Sequence, residues 1–87
     1  MATYQLQILA LDRMVFEGEV ESIVAKGSEG YLGVLAHHAP LVTELAKGDL
    51  TVTLASRETK KFDLQGGLLD VGGNKTIILA DGEVEEL

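Results

Sequence analysis

Cysteine is missing from this chain and proline occurs once. Without cysteine there is no disulfide framework and no thiolate metal site to reinforce the core. Its absence also agrees with a reducing compartment. Long hydrophobic runs are missing too, since nothing approaches the ~20 apolar residues of a membrane-spanning helix. The opening stretch, Met1-Ala2-Thr3-Tyr4-Gln5-Leu6-Gln7, lacks the basic segment followed by an apolar one that marks a secretory signal. Direct membrane insertion is therefore not expected, and any tie to a membrane would run through a protein partner. Basic residues are scarce, with seven Lys and Arg against fourteen Asp and Glu and a formal charge of −7. That balance opposes phosphate backbones and anionic lipid surfaces, so a nucleic-acid partner is not expected either.

The chemistry-bearing arrangements are equally sparse. No Gly-Lys-Ser or Gly-Lys-Thr occurs, which excludes a P-loop. Ser22, Ser28 and Ser56 stand in no nucleophile-elbow context. The glycines between Gly27 and Gly33 are not followed by a helical pattern, as a dinucleotide fingerprint requires. They read instead as a tight turn needing positive φ that presents Glu29 and Tyr31 outward. His37-His38, with Glu44 as a third ligand, invites a metal reading. On an extended chain neighbouring side chains point to opposite faces, so the two imidazoles would not share an ion. No catalytic residue, metal or cofactor is expected.

What is present is alternation with a period of two. Tyr4, Leu6 and Ile8 oppose Gln5 and Gln7. Leu50, Val52 and Leu54 oppose Asp49, Thr51 and Thr53, and Phe62 and Leu64 oppose Lys61 and Asp63. Such alternation reads as antiparallel sheet with one buried and one wet face. Phe16, Gly18 and Val20 share a face opposite Glu17, Glu19 and Glu21. Ile23 then breaks the phase, which suggests a bulge or a strand bending between sheets. The acidic ladder reads as a solvated face offset by Lys60 or Lys61. Residues 76–80 are nearly all apolar and suggest a strand buried on both faces. Glycine-rich breaks punctuate these runs at short intervals. The pattern predicts one all-β domain over residues 1–87, a two-sheet β-sandwich of about ten short strands. No helix longer than two turns is expected.

The stretch Gly27-Ser28-Glu29-Gly30-Tyr31-Leu32-Gly33-Val34-Leu35-Ala36-His37-His38-Ala39-Pro40-Leu41 resembles the signature of ε subunits of rotary F-type ATP synthases. In that family a G-x-x-G-x-x-G loop leads to a strand and then to H-A-P-L. Three further segments are similar in order and spacing: Val15-Phe16-Glu17-Gly18, Gln65-Gly66-Gly67-Leu68-Leu69-Asp70-Val71, and Lys75-Thr76-Ile77-Ile78-Leu79-Ala80-Asp81. The resemblance spans essentially the whole chain.

The resemblance implies a non-catalytic central-stalk subunit that couples the γ shaft to the membrane c-ring during proton-driven ATP synthesis. It implies a peripheral location on the cytoplasmic face of a bacterial plasma membrane, or on a thylakoid or mitochondrial inner membrane. The ring-facing loop would be Ser28, Glu29, Gly30 and Tyr31. The γ-facing patch would be His38, Pro40, Leu41, Val42, Thr43, Leu68 and Val71. Of the neighbours Leu41 and Val42 only one can fill the core, and Val42 is expected to be the outward one. Some relatives carry an acid where Tyr31 stands, so the ring contact implied here is more stacking than ionic. The family usually continues into a two-helix hairpin that nothing in these residues matches, so the sandwich domain alone is expected. The alternative is a small acidic carrier domain of the lipoyl or biotinyl type. Lys26 and Lys47 sit at turns, but neither has the D-K-A or M-K-M flanks of such a domain.

Overall fold

A computed structural model describes residues 2–87. Nine strands follow one another: β1 (Tyr4–Leu9), β2 (Met14–Gly27), β3 (Gly30–Leu35), β4 (Leu41–Leu45), β5 (Gly48–Leu54), β6 (Thr59–Leu64), β7 (Gly67–Val71), β8 (Lys75–Ala80) and β9 (Glu85–Glu86). The described residues form no helix, and so none that is long and apolar enough to cross a membrane.

The architecture turns on β2, which is long enough to serve two sheets. Its first half pairs with β1, from Tyr4 opposite Val20 to Leu9 opposite Met14. Its second half lies between β3 and β5. The register against β5 slips between Val20 and Ser22. That extra residue lets Val20 and Ile23 both point inward, and both are fully buried. The phase break in the sequence is thus a bulge where one strand passes between layers. One layer runs β4-β7-β8-β1-β2 and the other β3-β2-β5-β6-β9. The layers also touch where Gly27 of β2 meets Leu45 of β4, beside a bond from Ala46 N–H to the Lys26 carbonyl at 2.8 Å.

Two sequence expectations need correction. The sheet is not wholly antiparallel, because β1 and β8 run parallel from Gln5 opposite Lys75 to Leu9 opposite Leu79. Nor is β8 buried on both faces. Thr76 and Ile78 point inward, whereas Ile77 is half-buried and Leu79 is 46% exposed. Strand β8 is central in its layer, but only one face of that layer meets the other layer.

The core is drawn from every strand but β9 and includes Leu6, Ile8, Ile23, Leu50, Phe62, Leu69 and Ile78. Each such side chain contributes about 1.5–3 kcal/mol relative to leaving it exposed. Phe62 receives Phe16 edge-on at 6.1 Å between ring centroids. The buried Tyr4 hydroxyl donates to the Val34 carbonyl at 2.7 Å, linking β1 to β3 across the interior. Burial holds its phenol neutral by pushing its pKa well above the ordinary value, against a smaller opposing effect of a backbone hydrogen bond. Gly67 has φ +152°, and a Cβ there would collide with the Leu79 carbonyl, so close approach of β7 to β8 requires glycine.

Candidate functional site

With no catalytic cluster to build from, the surfaces left uncovered by this fold are the candidates. The first is the tip of the β2–β3 hairpin. Ser28 and Glu29 form the turn between the paired residues Gly27 and Gly30. Gly30 takes φ +126°, which an L side chain rarely adopts. Ser28, Glu29 and Gly30 are exposed, and Tyr31 next to them is 65% exposed. Tyr31 lies opposite Lys26 in the β2–β3 register, while the Lys26 stem lies against Gly48 of β5.

The second surface is the outer face of the β4-β7-β8-β1 layer. Register places Leu68 opposite both Glu44 and Leu79, Leu79 beside Leu9, and Leu9 opposite Met14. This is an apolar row across four strands, with Leu79 46% and Met14 45% exposed. The adjoining row holds Val42, Asp70 and Ile77, and Val42 is 62% exposed. At its β1 end the face runs into a shallow depression of about 550 Å³ that includes Leu9, Leu11 and Leu79. Leu11 caps the β1–β2 turn and is 97% exposed. Two bonds fix that turn: Ala10 N–H to the Arg13 carbonyl at 2.9 Å, and the Arg13 guanidinium to the Val84 carbonyl at 3.1 Å. An exposed leucine on a hydrogen-bonded turn beside a contiguous apolar row suits a contact surface.

The residues expected to face γ are not all on this face. Val42 and Leu68 lie on it. Leu41 points inward against the core, so Val42 is the outward member of that pair, as its neighbour's burial requires. Val71 is only 3% exposed and its side chain is taken up by the core opposite Leu41. Thr43 points to the inner side of β4 and lines a dent with Gly27, Ser28 and Tyr31, next to the hairpin tip. His38 and Pro40 sit in the connection between β3 and β4. His37 there takes φ +64°, and the half-buried His38 ring bonds the Ala39 carbonyl through Nδ1 at 2.7 Å. That bond makes Nδ1 the protonated nitrogen.

Sequence reading missed Leu9, Leu11, Met14 and Leu79. The signal was present in the doubled apolar character of β8, but it was read as burial on both faces. The acidic ladder also has other neighbours than expected. Glu21 pairs with Arg57 at 3.4 Å, Gln7 donates to Glu17 at 2.7 Å, and Lys60 is engaged by Glu86 at 3.2 Å. Lys60 and Lys61 lie on β6, one strand beyond β5 from the ladder. Among the described residues no group of three or more His, Asp or Glu side chains is placed to hold a metal ion.

Comparison with known proteins assigns the fold. The profile of the family described as ATP synthase, Delta/Epsilon chain, beta-sandwich domain matches residues 3–86. The chain is 46% identical over 85 residues to the ATP synthase epsilon chain of Caulobacter vibrioides, covering 98% of both. It is 42% identical over 81 residues to the epsilon chain of Moorella thermoacetica, covering 93% of this chain but 60% of that one. A chain in the cryo-EM structure of the Euglena gracilis mitochondrial ATP synthase, OSCP/F1/c-ring, superposes with a TM-score of 0.91 at 26% identity. That match covers 99% of this chain and 54% of the Euglena one, so some relatives are nearly twice as long as the part matched here. A sandwich whose two layers share β2, joined to a match from residue 3 to residue 86, makes this chain a member of the ATP synthase delta/epsilon family, carrying that family's β-sandwich domain.

Proposed function

We propose that this chain is a non-catalytic central-stalk subunit that couples the γ subunit to the c-ring of an F-type ATP synthase. What carries the reading is the family match over residues 3–86 together with two exposed surfaces on one closed sandwich. Two partners that turn together need a link that does not flex. A fully packed double layer meets that need, because close-packed interiors have low compressibility and pass strain on. The outer face holding Val42, Leu68 and Leu79 would take γ, by apolar burial. The tip holding Ser28, Glu29, Gly30 and Tyr31 would take the c-ring, where Tyr31 offers a flat amphipathic surface. His38 and Pro40 would border the γ contact, Thr43 would lie between the two surfaces, and Leu41 and Val71 would support it from the core side. The location would be peripheral, on the cytoplasmic face of a bacterial membrane or its organellar equivalent.

Photocrosslinking tests this directly. A photoreactive residue at position 42 should capture γ, and one at position 31 should capture the c-ring, in a complex reconstituted with both. Exchange of the two products, or capture of neither partner, would refute the assignment. The carrier-domain reading finds no support in the placement of its lysines. Lys26 lies within β2 with its stem against Gly48, and Lys47 precedes β5. Intact mass after co-expression with a lipoyl or biotinyl ligase should be unchanged.

A further inference from the structure

Asp81-Gly82, between β8 and β9, is the one place in the sequence where an aspartate precedes a glycine. The other aspartates are followed by larger side chains. Asp49, Asp63 and Asp70 lie inside paired strands, before Leu50, Leu64 and Val71. Asp12 lies in the β1–β2 turn, before Arg13. Asp81 and Gly82 are both exposed. Gly82 takes φ +61°, and among the described residues its N–H has no backbone acceptor. The Asp81 carboxylate lies beside Gly66, with no ion-pair partner among the described residues. An unpaired carboxyl is thus followed by an unbonded amide nitrogen with no side chain to shield it. We infer that Asp81-Gly82 is a covalent modification site, at which Asp81 converts to isoaspartate and releases the tail beyond it.

The reaction needs no co-reactant but water. The Gly82 nitrogen attacks the side-chain carboxyl carbon of Asp81. A C–N bond forms, and the carboxyl hydroxyl leaves with the amide proton as water. The product is a five-membered cyclic imide, to which water adds back at either carbonyl. Breaking the bond from nitrogen to the side-chain carbonyl restores aspartate. Breaking the bond from nitrogen to the main-chain carbonyl leaves the chain running through the side chain, as isoaspartate with a free α-carboxylate. The water lost is regained, so mass is unchanged. Glycine favours the closure because no Cβ crowds its nitrogen and because it takes positive and negative φ about equally well.

The product does not fit the tail. Before the new bond, Asp81 N–H is held by the Gly66 carbonyl at 3.0 Å. After it, only Gly82 and Glu83 precede Val84, which is 4% exposed and belongs to the core. The Arg13 guanidinium holds the Val84 carbonyl at 3.1 Å, Leu87 N–H donates to the Lys61 carbonyl at 2.8 Å, and Glu85 and Glu86 pair with Asp63 and Phe62. Isoaspartate adds one C–C bond, about 1.5 Å, to the main chain. So short a tether has little slack for it, and the shift falls on Val84 and β9. Val84 leaves its site, a void opens beneath it, and β9 loses its register with β6. The inference rests on this chemistry and does not depend on the function proposed above.

Ageing the full chain at neutral pH and physiological temperature, followed by peptide mapping, tests the inference. Isoaspartate has the mass of aspartate but a separate retention time, and electron-transfer fragmentation locates it. It should accumulate at position 81 and not at Asp12, at a rate comparable to that in a synthetic peptide of residues 78–85. The converted chain should melt roughly 4–8 °C lower. Its Val84 methyl resonances should lose their core shifts, while those of Leu6 and Leu69 keep theirs. Asp81→Glu should stop the conversion with unchanged melting, because closure would then need a six-membered imide. Asp81→Asn should hasten it, with ammonia leaving in place of water. A folded chain that stays unconverted while the peptide converts would overturn the inference. So would equal accumulation at Asp12, or a converted chain whose melting and Val84 resonances match those of the unconverted one.

Discussion

The outer sides of two strand pairs, β5–β6 in one layer and β7–β8 in the other, differ in character. On the β5–β6 side the outward residues are Thr51, Thr53, Lys61 and Asp63, with Arg57 bridging to Glu21 at one end. On the β7–β8 side they are Leu68, Ile77 and Leu79, interrupted by Asp70 and ended by Lys75, with Val42 and Leu9 on the flanking strands. Both faces are the outer sides of hydrogen-bonded strands, and backbone pairing does not require the difference. A layer that met only water would gain nothing from the exposed Val42 and Leu79 and the half-buried Leu9 and Leu68 beside them. The lesson is that the inner faces hold the fold and leave the outer faces free to differ.

Several substitutions would break or sharpen that contrast, and they fall in order of effect. Ile78 and Leu79 are neighbours on β8 with opposite orientations. Ile78→Ala empties a fully buried site and should cost about 2–5 kcal/mol. Leu79→Ala should cost under about 1 kcal/mol, because the side chain is already 46% exposed. Urea melts of both variants measure the two values, and equal costs would erase the distinction between faces. Next is Gly67→Ala, where positive φ and the Leu79 carbonyl both oppose a Cβ, for an expected loss of about 1–3 kcal/mol. Gly73→Ala meets nothing within 4 Å and serves as its control.

A third test concerns Tyr4, which joins the layers from inside. Its phenol stays neutral in the folded chain beyond the pH at which an unfolded tyrosine ionises, near 10. Above that pH the unfolded chain has lost a proton that the native chain keeps, so stability falls as pH rises. The advantage of wild type over Tyr4→Phe, about 1 kcal/mol from the bond to Val34, should therefore be full at about pH 8 and shrink by about pH 11. Thermal melts across that range decide it, and an advantage that grows with pH would contradict the sign. The smallest effect belongs to the polar side. Lys60→Ala removes an exposed pair with Glu86 and should change stability by under about 1 kcal/mol.

Much of this was legible from residues alone. Alternation in β1, β5 and β6 is clean because one face of each meets water, so Leu6, Val52 and Phe62 announce themselves as core. The phase break at Ile23 was legible because a bulge must shift the pattern. The exposed apolar face was not, because a strand with apolar residues on both sides has the same sequence whether the second side meets protein core or lies at the surface. Leu79 is such a case. The parallel pairing of β1 with β8 was hidden as well, since pairing direction leaves no mark on the period of a strand. The hairpin tip was legible through the demand of its turn for a glycine at Gly30. The burial of Val71 could not be read without knowing which face of β7 meets the other layer.

The central claim is that the β4-β7-β8-β1 face, and not its counterpart, is the docking face for γ. Val42 and Val24 provide a matched pair, the same residue on the two outer faces, 62% and 41% exposed. The direct measurement is γ affinity of Val42→Asp and Val24→Asp, each with its own thermal melt. A carboxylate forced into a desolvated contact costs a few kcal/mol, so Val42→Asp should weaken γ binding by about 10- to 100-fold with little change in melting. Val24→Asp should leave binding as in the wild type. Equal binding by both variants, or loss confined to Val24→Asp, would contradict the account.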